Sequence, residues 1–444
     1  MYDLMIIGAG PGGYTAANKA AQKGMKVILF EKDKIGGTCL NRGCIPTKSL
    51  LSSSNLYHEI KNSSLYGINS NDVGFDYSAI LSRKDDVVDT LRQGIIKSLE
   101  KNKVEIIYGE AFIQDNTHIR CNDELYEGKN ILIATGSVVS LPPIAGIENG
   151  ITSNEILEAN YPFVDSLIII GGGVIGVELA QTFSDLGCKV TIIEMFDHLL
   201  PNLDKDLGQR LALFLKKKNI DIILSAAVSK IDKDNDLKIV TYTDKNGEEI
   251  TVEATEVLVA TGRKADISNL CADNLDLEIE RGIKGDNIGR TNIDNIFVIG
   301  DAKSNNVQLA HVAEAQGENI IDYLCGEQLS HDMSVIPSGI YTNPEIACVG
   351  KLEKELKEQG VEFEVKKYLT GANGKCLIEN SESGFVKVIV VAGVIVGGQI
   401  ICPHATELIG ELAIAIQKKM TLKDVAEVIH PHPTISEMLW NVVK

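Results

Sequence analysis

Aliphatic residues in this chain come in short unbroken runs that end on glycine. Leu4-Met5-Ile6-Ile7 runs into Gly8-Ala9-Gly10-Pro11-Gly12-Gly13, and Leu167-Ile168-Ile169-Ile170 runs into Gly171-Gly172-Gly173-Val174-Ile175-Gly176. Runs without polar interruption predict strands buried on both faces, as in a parallel sheet covered by helices. A helical stretch follows each turn, then a second run: Val27-Ile28-Leu29-Phe30 ending at Glu31, and Val190-Thr191-Ile192-Ile193 ending at Glu194. The step from third glycine to acid is 18 residues in both copies. Each half has a later echo, Ile131-Leu132-Ile133-Ala134-Thr135-Gly136 and Val257-Leu258-Val259-Ala260-Thr261-Gly262. One strand-turn-helix-strand-acid unit is therefore present twice.

After Gly262, Ile296-Phe297-Val298-Ile299 reads as a strand leading to Gly300-Asp301, and Gln308 to Leu324 has helical periodicity. From about Ser334 the pattern becomes strands separated by glycine turns, among them Gly393 and Gly397-Gly398, with helices near Glu407 to Lys418 and Leu422 to Val428. The predicted class is α/β: two Rossmann-like dinucleotide-binding domains and a C-terminal α+β domain. Expected boundaries are 1–140 for the first unit, 141–263 for the second, 264–332 for a return to the first, and 333–444 for the last domain. The polar stretch Ser52 to Ser70 is expected to be rich in loops.

At 444 residues with 44% hydrophobic content, the chain exceeds the size at which one core divides into domains. A net charge of −18 without a basic run argues against nucleic acid. Leu167 to Leu179 and Val386 to Cys402 are too short and too rich in glycine and β-branched residues to span a membrane. Nine scattered cysteines do not form a secreted disulfide framework, and most are expected to be reduced core thiols. The first residues carry no basic start or cleavage site, so a cytoplasmic location is expected.

In a Rossmann turn the first glycine (Gly8, Gly171) allows the tight turn. The second (Gly10, Gly173) lets backbone approach a pyrophosphate, and the third (Gly13, Gly176) lets helix pack on strand. The acids Glu31 and Glu194 are placed to hold ribose hydroxyls, and Met195-Phe196-Asp197-His198 after Glu194 offers no arginine for a 2′-phosphate, favouring NAD over NADP.

The segment Gly36-Gly37-Thr38-Cys39-Leu40-Asn41-Arg42-Gly43-Cys44-Ile45-Pro46-Thr47-Lys48 follows the first acid. Its C-x4-C spacing matches neither the C-x-x-C redox box nor a zinc ribbon, and no metal site is expected. Five helical residues span about 7.5 Å of rise and roughly 140° of rotation, which no disulfide bridges. A redox pair therefore requires a distorted helix or one that begins near Cys44, and Gly43 and Pro46 suit such a start. There, the helix end and Lys48 would lower the Cys44 pKa. Two reduced buried cysteines are the alternative that spacing alone leaves open, and Lys48 alone reads equally as a solvated helix lysine.

Together these motifs resemble the FAD-dependent pyridine nucleotide-disulfide oxidoreductases over essentially the whole chain. The resemblance implies FAD in the first unit, NAD in the second, and a redox disulfide between Cys39 and Cys44. It places Thr38, Lys48, Thr135, Gly136, Asp301 and the Leu309-Ala310-His311 segment on the flavin, Gly262 with the NAD residues, and Lys48 in a pair with Glu178. Asp301 alone could equally be a turn residue. In His430-Pro431-His432-Pro433-Thr434-Ile435-Ser436-Glu437, the resemblance makes His432 an acid/base held by Glu437 and serving the other subunit of a homodimer. Thr434 and Glu437 also read as a T-x-x-E capping box, which competes for the carboxylate.

The implied reaction is oxidation of protein-bound dihydrolipoamide to lipoamide with NAD⁺ reduced to NADH. The implied partner is a lipoyl-bearing protein, the E2 of a 2-oxoacid or acetoin dehydrogenase complex or the glycine-cleavage H protein, since the chain opens directly on the first unit without a lipoyl domain. Reduction of glutathione disulfide is disfavoured by Glu194. Mercuric ion reduction is disfavoured by a C-terminus without a cysteine pair, and the single-cysteine oxidases and peroxidases of this fold by the presence of two. A flavin-binding scaffold would have no need of the cysteines and His432.

Overall fold

The computed structural model describes residues 1–444 apart from 273 and 382. The first aliphatic run is β1 (Tyr2–Ile7), followed by α1 (Pro11–Gln22) and β2 (Val27–Glu31). The chain then forms α2 (Gly37–Arg42) and restarts beyond Gly43 as α3 (Cys44–Lys61). It continues through α4 (Tyr77–Lys101), β3 (Glu105–Tyr108), β4 (Phe112–Ile113), β5 (His118–Cys121), β6 (Glu124–Ile133) and β7 (Ser137–Val139). The sheet order is β3-β2-β1-β6-β5-β4; β1 lies parallel between β2 and β6, with Leu4 opposite Val27 and Asn130. Leu4 and Ile6 pack to one side of this sheet and Met5 and Ile7 to the other, which is why the run has no polar alternation.

Next come α5 (Ser153–Ile156), β8 (Ser166–Ile170), α6 (Val174–Asp185), β9 (Lys189–Ile193), α7 (Lys205–Lys217) and β10 (Asp221–Ile223). They are followed by β11 (Ala227–Asp234), β12 (Leu237–Thr243), β13 (Glu249–Ala254), β14 (Glu256–Val259) and β15 (Arg263–Ala265). The order β10-β9-β8-β14 is a second parallel sheet, and β11-β12-β13 is an antiparallel meander whose Ile231, Val240 and Tyr242 pack with Ile168 and Val257 of that sheet. The two Ala-Thr-Gly echoes end β6 and β14 and lead into β7 and β15, which pair with each other.

Strand β16 (Ile296–Val298) returns to the first sheet, lying parallel to β6 with Phe297 opposite Leu132. Helix α8 (Ala310–Leu324) then packs on α1 so closely that a Cβ on Gly317 would meet the Gly12 carbonyl oxygen at 2.7 Å. The last domain holds β17 (Ser338–Ile340), β18 (Glu345–Gly350), α9 (Glu353–Glu358), β19 (Glu364–Leu369) and α10 (Gly374–Ile378). It ends with β20 (Phe385–Val391), β21 (Val394–Cys402), α11 (Ala405–Gln417), α12 (Leu422–Ala426) and α13 (Glu437–Val443). Its antiparallel sheet, β17-β18-β21-β20-β19, packs Ile400 and Val388 against Leu412 of α11 and Leu439 of α13. Lys387, 1% exposed, fixes this domain to the second unit, its Nζ lying 3.2, 2.9 and 2.8 Å from Asp204, Asp206 and Glu353.

Two expectations need correction. The stretch from Ser52 is helical through Lys61, with a 3₁₀ turn over Ser63–Tyr66. Leu50, Leu51 and Ser54 are buried where α3 meets α4 and α6, and that packing outweighs the low helix propensity of three consecutive serines. The last helix begins at Glu437 and not directly after Thr434, whose hydroxyl is turned away to the Pro431 carbonyl. No helix among the described residues is long and apolar enough to cross a membrane.

Candidate active site

The two glycine turns have matching geometry. Gly8 and Gly171 have φ of +99° and +110°, where a side chain is strained. A Cβ on Gly13 would lie 1.9 Å from the Gly8 carbonyl oxygen, and one on Gly176 would lie 2.0 Å from that of Gly171. First and third glycines are thus required by the protein itself. The second ones are not: Gly10 and Gly173 have φ of −72° and −75°, ordinary for any residue. A Cβ on Gly10 would come no nearer than 3.8 Å to another atom, and one on Gly173 would have nothing within 4 Å. Open space over the N-termini of α1 and α6 fits a pyrophosphate at each turn.

The acids are pinned in the same way. Glu31 accepts from the Ala9 and Asp33 N–H groups at 2.8 Å, and Glu194 from those of Gly172 and Phe196 at 2.6 and 2.8 Å. Burial holds the Glu31 pKa above its usual value against these donors. Each carboxylate therefore locks strand to turn and retains lone pairs for a ribose.

Between α2 and α3, Gly43 breaks the helix and puts Cys44 on the first turn of α3. Both cysteines are free thiols here, Cys39 half-buried and Cys44 exposed. The Cys39 thiol hydrogen-bonds to Cys44, an interaction that lowers the Cys44 pKa to about 7, with help from the Lys48 charge and against burial. The same bond, then burial and the nearby Cys44 and Glu314 charges, push Cys39 far up. The reduced pair is therefore asymmetric: a thiolate at Cys44 and a thiol at Cys39.

Lys48, one turn along α3, reaches Glu178 of α6 at 2.7 Å and lies 4.7 Å from the centre of the Tyr341 ring. The other Glu178 oxygen accepts from the Tyr341 N–H at 2.9 Å. A second rung repeats the arrangement, with Gln181 donating to Asn55 at 2.8 Å and accepting from the Asn343 N–H at 2.7 Å. Helix α6 of the second unit and the segment after β17 of the C-terminal domain thus meet on the redox helix.

Asp301 accepts from Ser137 Oγ at 2.5 Å, and Arg263 donates to that same Oγ at 2.8 Å and to Thr38 at 3.3 Å. Burial raises the Asp301 pKa. Arg263 and Ser137 were not singled out from the sequence, although each directly follows one Ala-Thr-Gly echo. Thr135 carries a buried hydroxyl with no partner, and Gly136 and Gly262 have φ of +71° and +115°. Leu309 caps α8, Ala310 begins it, and His311 reaches the Pro337 carbonyl at 2.8 Å. The orphaned buried hydroxyl of Thr135 and the half-buried Asp301 carboxylate fit an extended polar cofactor in the first unit.

His432 is far from buried, its side chain 79% exposed, and its Nδ1 lies 3.0 and 3.2 Å from the two Glu437 oxygens. Glu437 also accepts from the Thr434 N–H at 3.0 Å. That bond, then the one to His432, lowers its pKa. One carboxylate thus serves both the turn and the imidazole. Within this chain His432 makes no hydrogen bond to either cysteine among the described residues.

Comparison with known proteins agrees with this arrangement. Residues 2–317 match the model of the pyridine nucleotide-disulphide oxidoreductases, and residues 336–443 match the dimerisation domain of that family. The dihydrolipoyl dehydrogenase of Haloferax volcanii is 38% identical over 455 residues, covering 100% of this chain and 95% of that protein. That of Geobacillus stearothermophilus is 38% identical, covering 98% and 94%. Among solved structures, the HOCl-induced flavoprotein disulfide reductase RclA from Escherichia coli superposes with a TM-score of 0.88 at 27% identity, covering 100% of this chain and 99% of that one.

Proposed function

The chain belongs to the pyridine nucleotide-disulphide oxidoreductase family, and from that premise we propose that it oxidises dihydrolipoamide carried on a partner protein and reduces NAD⁺ through Cys39 and Cys44. It is an FAD- and NAD-dependent oxidoreductase with a dimerisation domain. The reading rests above all on the asymmetric thiol pair across the α2–α3 break, Cys39 in α2 and Cys44 at the start of α3, with Lys48 alongside.

In the oxidised centre the two cysteines form a disulfide. A substrate thiolate attacks Sγ of Cys39; the S–S bond breaks and Cys44 departs as a thiolate, favoured by Lys48 and the helix start. The second substrate thiolate attacks the substrate sulfur of the mixed disulfide, closing the product ring and releasing Cys39, which takes a proton. His432 of the partner subunit, oriented by Glu437, accepts the proton of the entering thiol and returns one to Cys39. When bound, FAD supplies an acceptor for the electron pair of the dithiol and a hydride donor to NAD⁺. The net change is one dithiol and one NAD⁺ to one disulfide, NADH and H⁺.

Gly8, Gly10, Gly13, Glu31, Thr38, Lys48, Thr135, Gly136, Asp301 and Leu309 to His311 would hold FAD; Gly171, Gly173, Gly176, Glu194 and Gly262 would hold NAD. The FAD unit comprises 1–140 and 264–332, the NAD unit 141–263 and the dimerisation domain 333–444. The protein acts in the cytoplasm as a homodimer, on the lipoyl arm of an E2 or a glycine-cleavage H protein. The test is a panel of NAD⁺ with dihydrolipoamide, and NADH or NADPH with lipoamide, glutathione disulfide and coenzyme A disulfide. NADH with lipoamide should far exceed the other reductions. Faster turnover of glutathione disulfide, or preference for NADPH, would overturn the assignment.

A further inference from the structure

The His432 side chain is too exposed for packing to fix its imidazole, and its Nδ1 lies 3.0 Å from a Glu437 oxygen. Where the base stands therefore depends on where Glu437 and the loop before it stand. Thr434 is the fulcrum of that loop. Its N–H donates to Glu437 at 3.0 Å and its hydroxyl to the Pro431 carbonyl at 2.7 Å. Both bonds lie within residues 431–437, so they set the shape of the loop but not its place on the domain.

A third bond reaches outside the loop: the Thr434 carbonyl accepts from the side-chain amide of Asn373 at 3.0 Å. Asn373 is 2% exposed and caps α10, its Oδ1 accepting from the Cys376 N–H at 2.9 Å. An amide has one oxygen and one nitrogen, so the cap leaves the nitrogen for Thr434. The Asn373 N–H is itself fixed, donating to the Thr370 carbonyl at 2.9 Å. A second contact joins the same two segments, with Cys376 Sγ 3.7 Å from Met438 Sδ of α13. At the start of the loop, His430 lies 2.8 Å from Glu411 of α11. Asn373 is thus the anchor at the end of the loop that carries Glu437.

We infer that Asn373 is a positioning residue for the His432–Glu437 pair: it holds Thr434, and through Thr434 the carboxylate that orients the base. The inference rests on the reading of His432 as the acid/base given above. An exposed imidazole that must meet a thiol of another subunit has no surrounding packing to correct its aim, and misplacement by about 1 Å costs as much as roughly a hundredfold in rate. Loss of one anchor among several should cost less, about tenfold, the scale of one hydrogen bond.

The test is a double-mutant cycle in the FAD-loaded dimer, read as single-turnover reduction of the flavin by dihydrolipoamide, with NADH-to-dye transfer as the reaction that does not use His432. Asn373→Ser keeps an oxygen able to cap α10 but loses the amide that Thr434 uses. It should slow flavin reduction about tenfold and leave dye transfer within about twofold of wild type. In a His432→Gln background the same change should cost less than about twofold, since residues that act through one another are non-additive. A merely structural role predicts the full tenfold loss in both backgrounds, and that result overturns the proposal. So does an unchanged rate in Asn373→Ser, or an equal loss of dye transfer. Undiminished flavin reduction in His432→Gln alone would refute the base reading and the proposal with it, whereas additive losses refute the proposal alone. Should Asn373→Ser fail to form the flavoprotein dimer, Asn373→Asp, of nearly the same volume and also a good cap, takes its place in the cycle. Failure of both to assemble would assign Asn373 to folding and overturn the proposal.

Discussion

Lys48 and Glu178 stand 130 residues apart in sequence and meet at 2.7 Å, joining the helix that starts at Cys44 to the helix of the second glycine turn. Glu178 is 2% exposed, with the Tyr341 N–H as its other partner. Lys48→Met would leave the buried carboxylate with that donor alone. The expected cost is about 3 kcal/mol of stability, the scale for breaking a buried pair, measured by urea unfolding. Lys48→Met/Glu178→Gln should recover most of it. If the double variant is no more stable than the single one, the pair does not bear on stability in this way.

The Cys39–Cys44 bond makes a separate prediction about titration. Above about pH 7 the reduced protein should hold one thiolate, at Cys44, with Cys39 remaining a thiol. The Cys44 thiolate is favoured in the folded state, so its contribution to stability is fully present above the ordinary cysteine value near 9 and is lost as pH falls through about 7. Cys39→Ala removes the largest cause and should move the Cys44 midpoint upward, followed by thiolate absorbance near 240 nm. A midpoint unmoved by that change would assign the low value to Lys48 and the helix start.

Most of the architecture was legible because both turns are dictated by backbone: the first and third glycines are required by φ and by carbonyls about 2 Å from any added Cβ. Arg263 and Ser137 were not legible. Their role depends on the pairing of β7 with β15, a tertiary contact between the two echoes that no local pattern encodes. The polar stretch from Ser52 looks like loop because its three serines disfavour helix locally, whereas burial against α4 and α6 makes it helical through Lys61. For Glu437 the cap and the imidazole are not exclusive partners, because a carboxylate has enough acceptor sites for both Thr434 and His432.

The glycine geometry separates cofactor binding from folding. Gly10→Ala should leave the stability of the apoprotein within about 0.5 kcal/mol of wild type, as ordinary surface substitutions do, while FAD content falls sharply. Gly173→Ala should retain FAD and raise the KM for NADH. Gly13→Ala, whose Cβ would lie 1.9 Å from a carbonyl oxygen, should instead prevent folding. Thermal unfolding of stripped protein and flavin absorbance distinguish these outcomes, and a Gly10→Ala protein with full FAD would contradict a pyrophosphate at that turn.

His432→Gln should abolish most thiol oxidation and leave NADH-to-dye transfer nearly intact; equal loss of both would make His432 structural. Cross-subunit action is tested by mixing. Cys39→Ser and His432→Gln homodimers are each inactive on dihydrolipoamide, but dissociated and reassociated together they form heterodimers. If His432 serves its own chain, no heterodimer site is complete. If it serves the partner, each heterodimer gains one site that pairs an intact Cys39 with an intact His432. Random reassociation at equal amounts should then restore about a quarter of wild-type activity, half the dimers being mixed and each having one of two sites complete. The exposure of His432 and its lack of a hydrogen bond to either cysteine in its own chain favour that outcome.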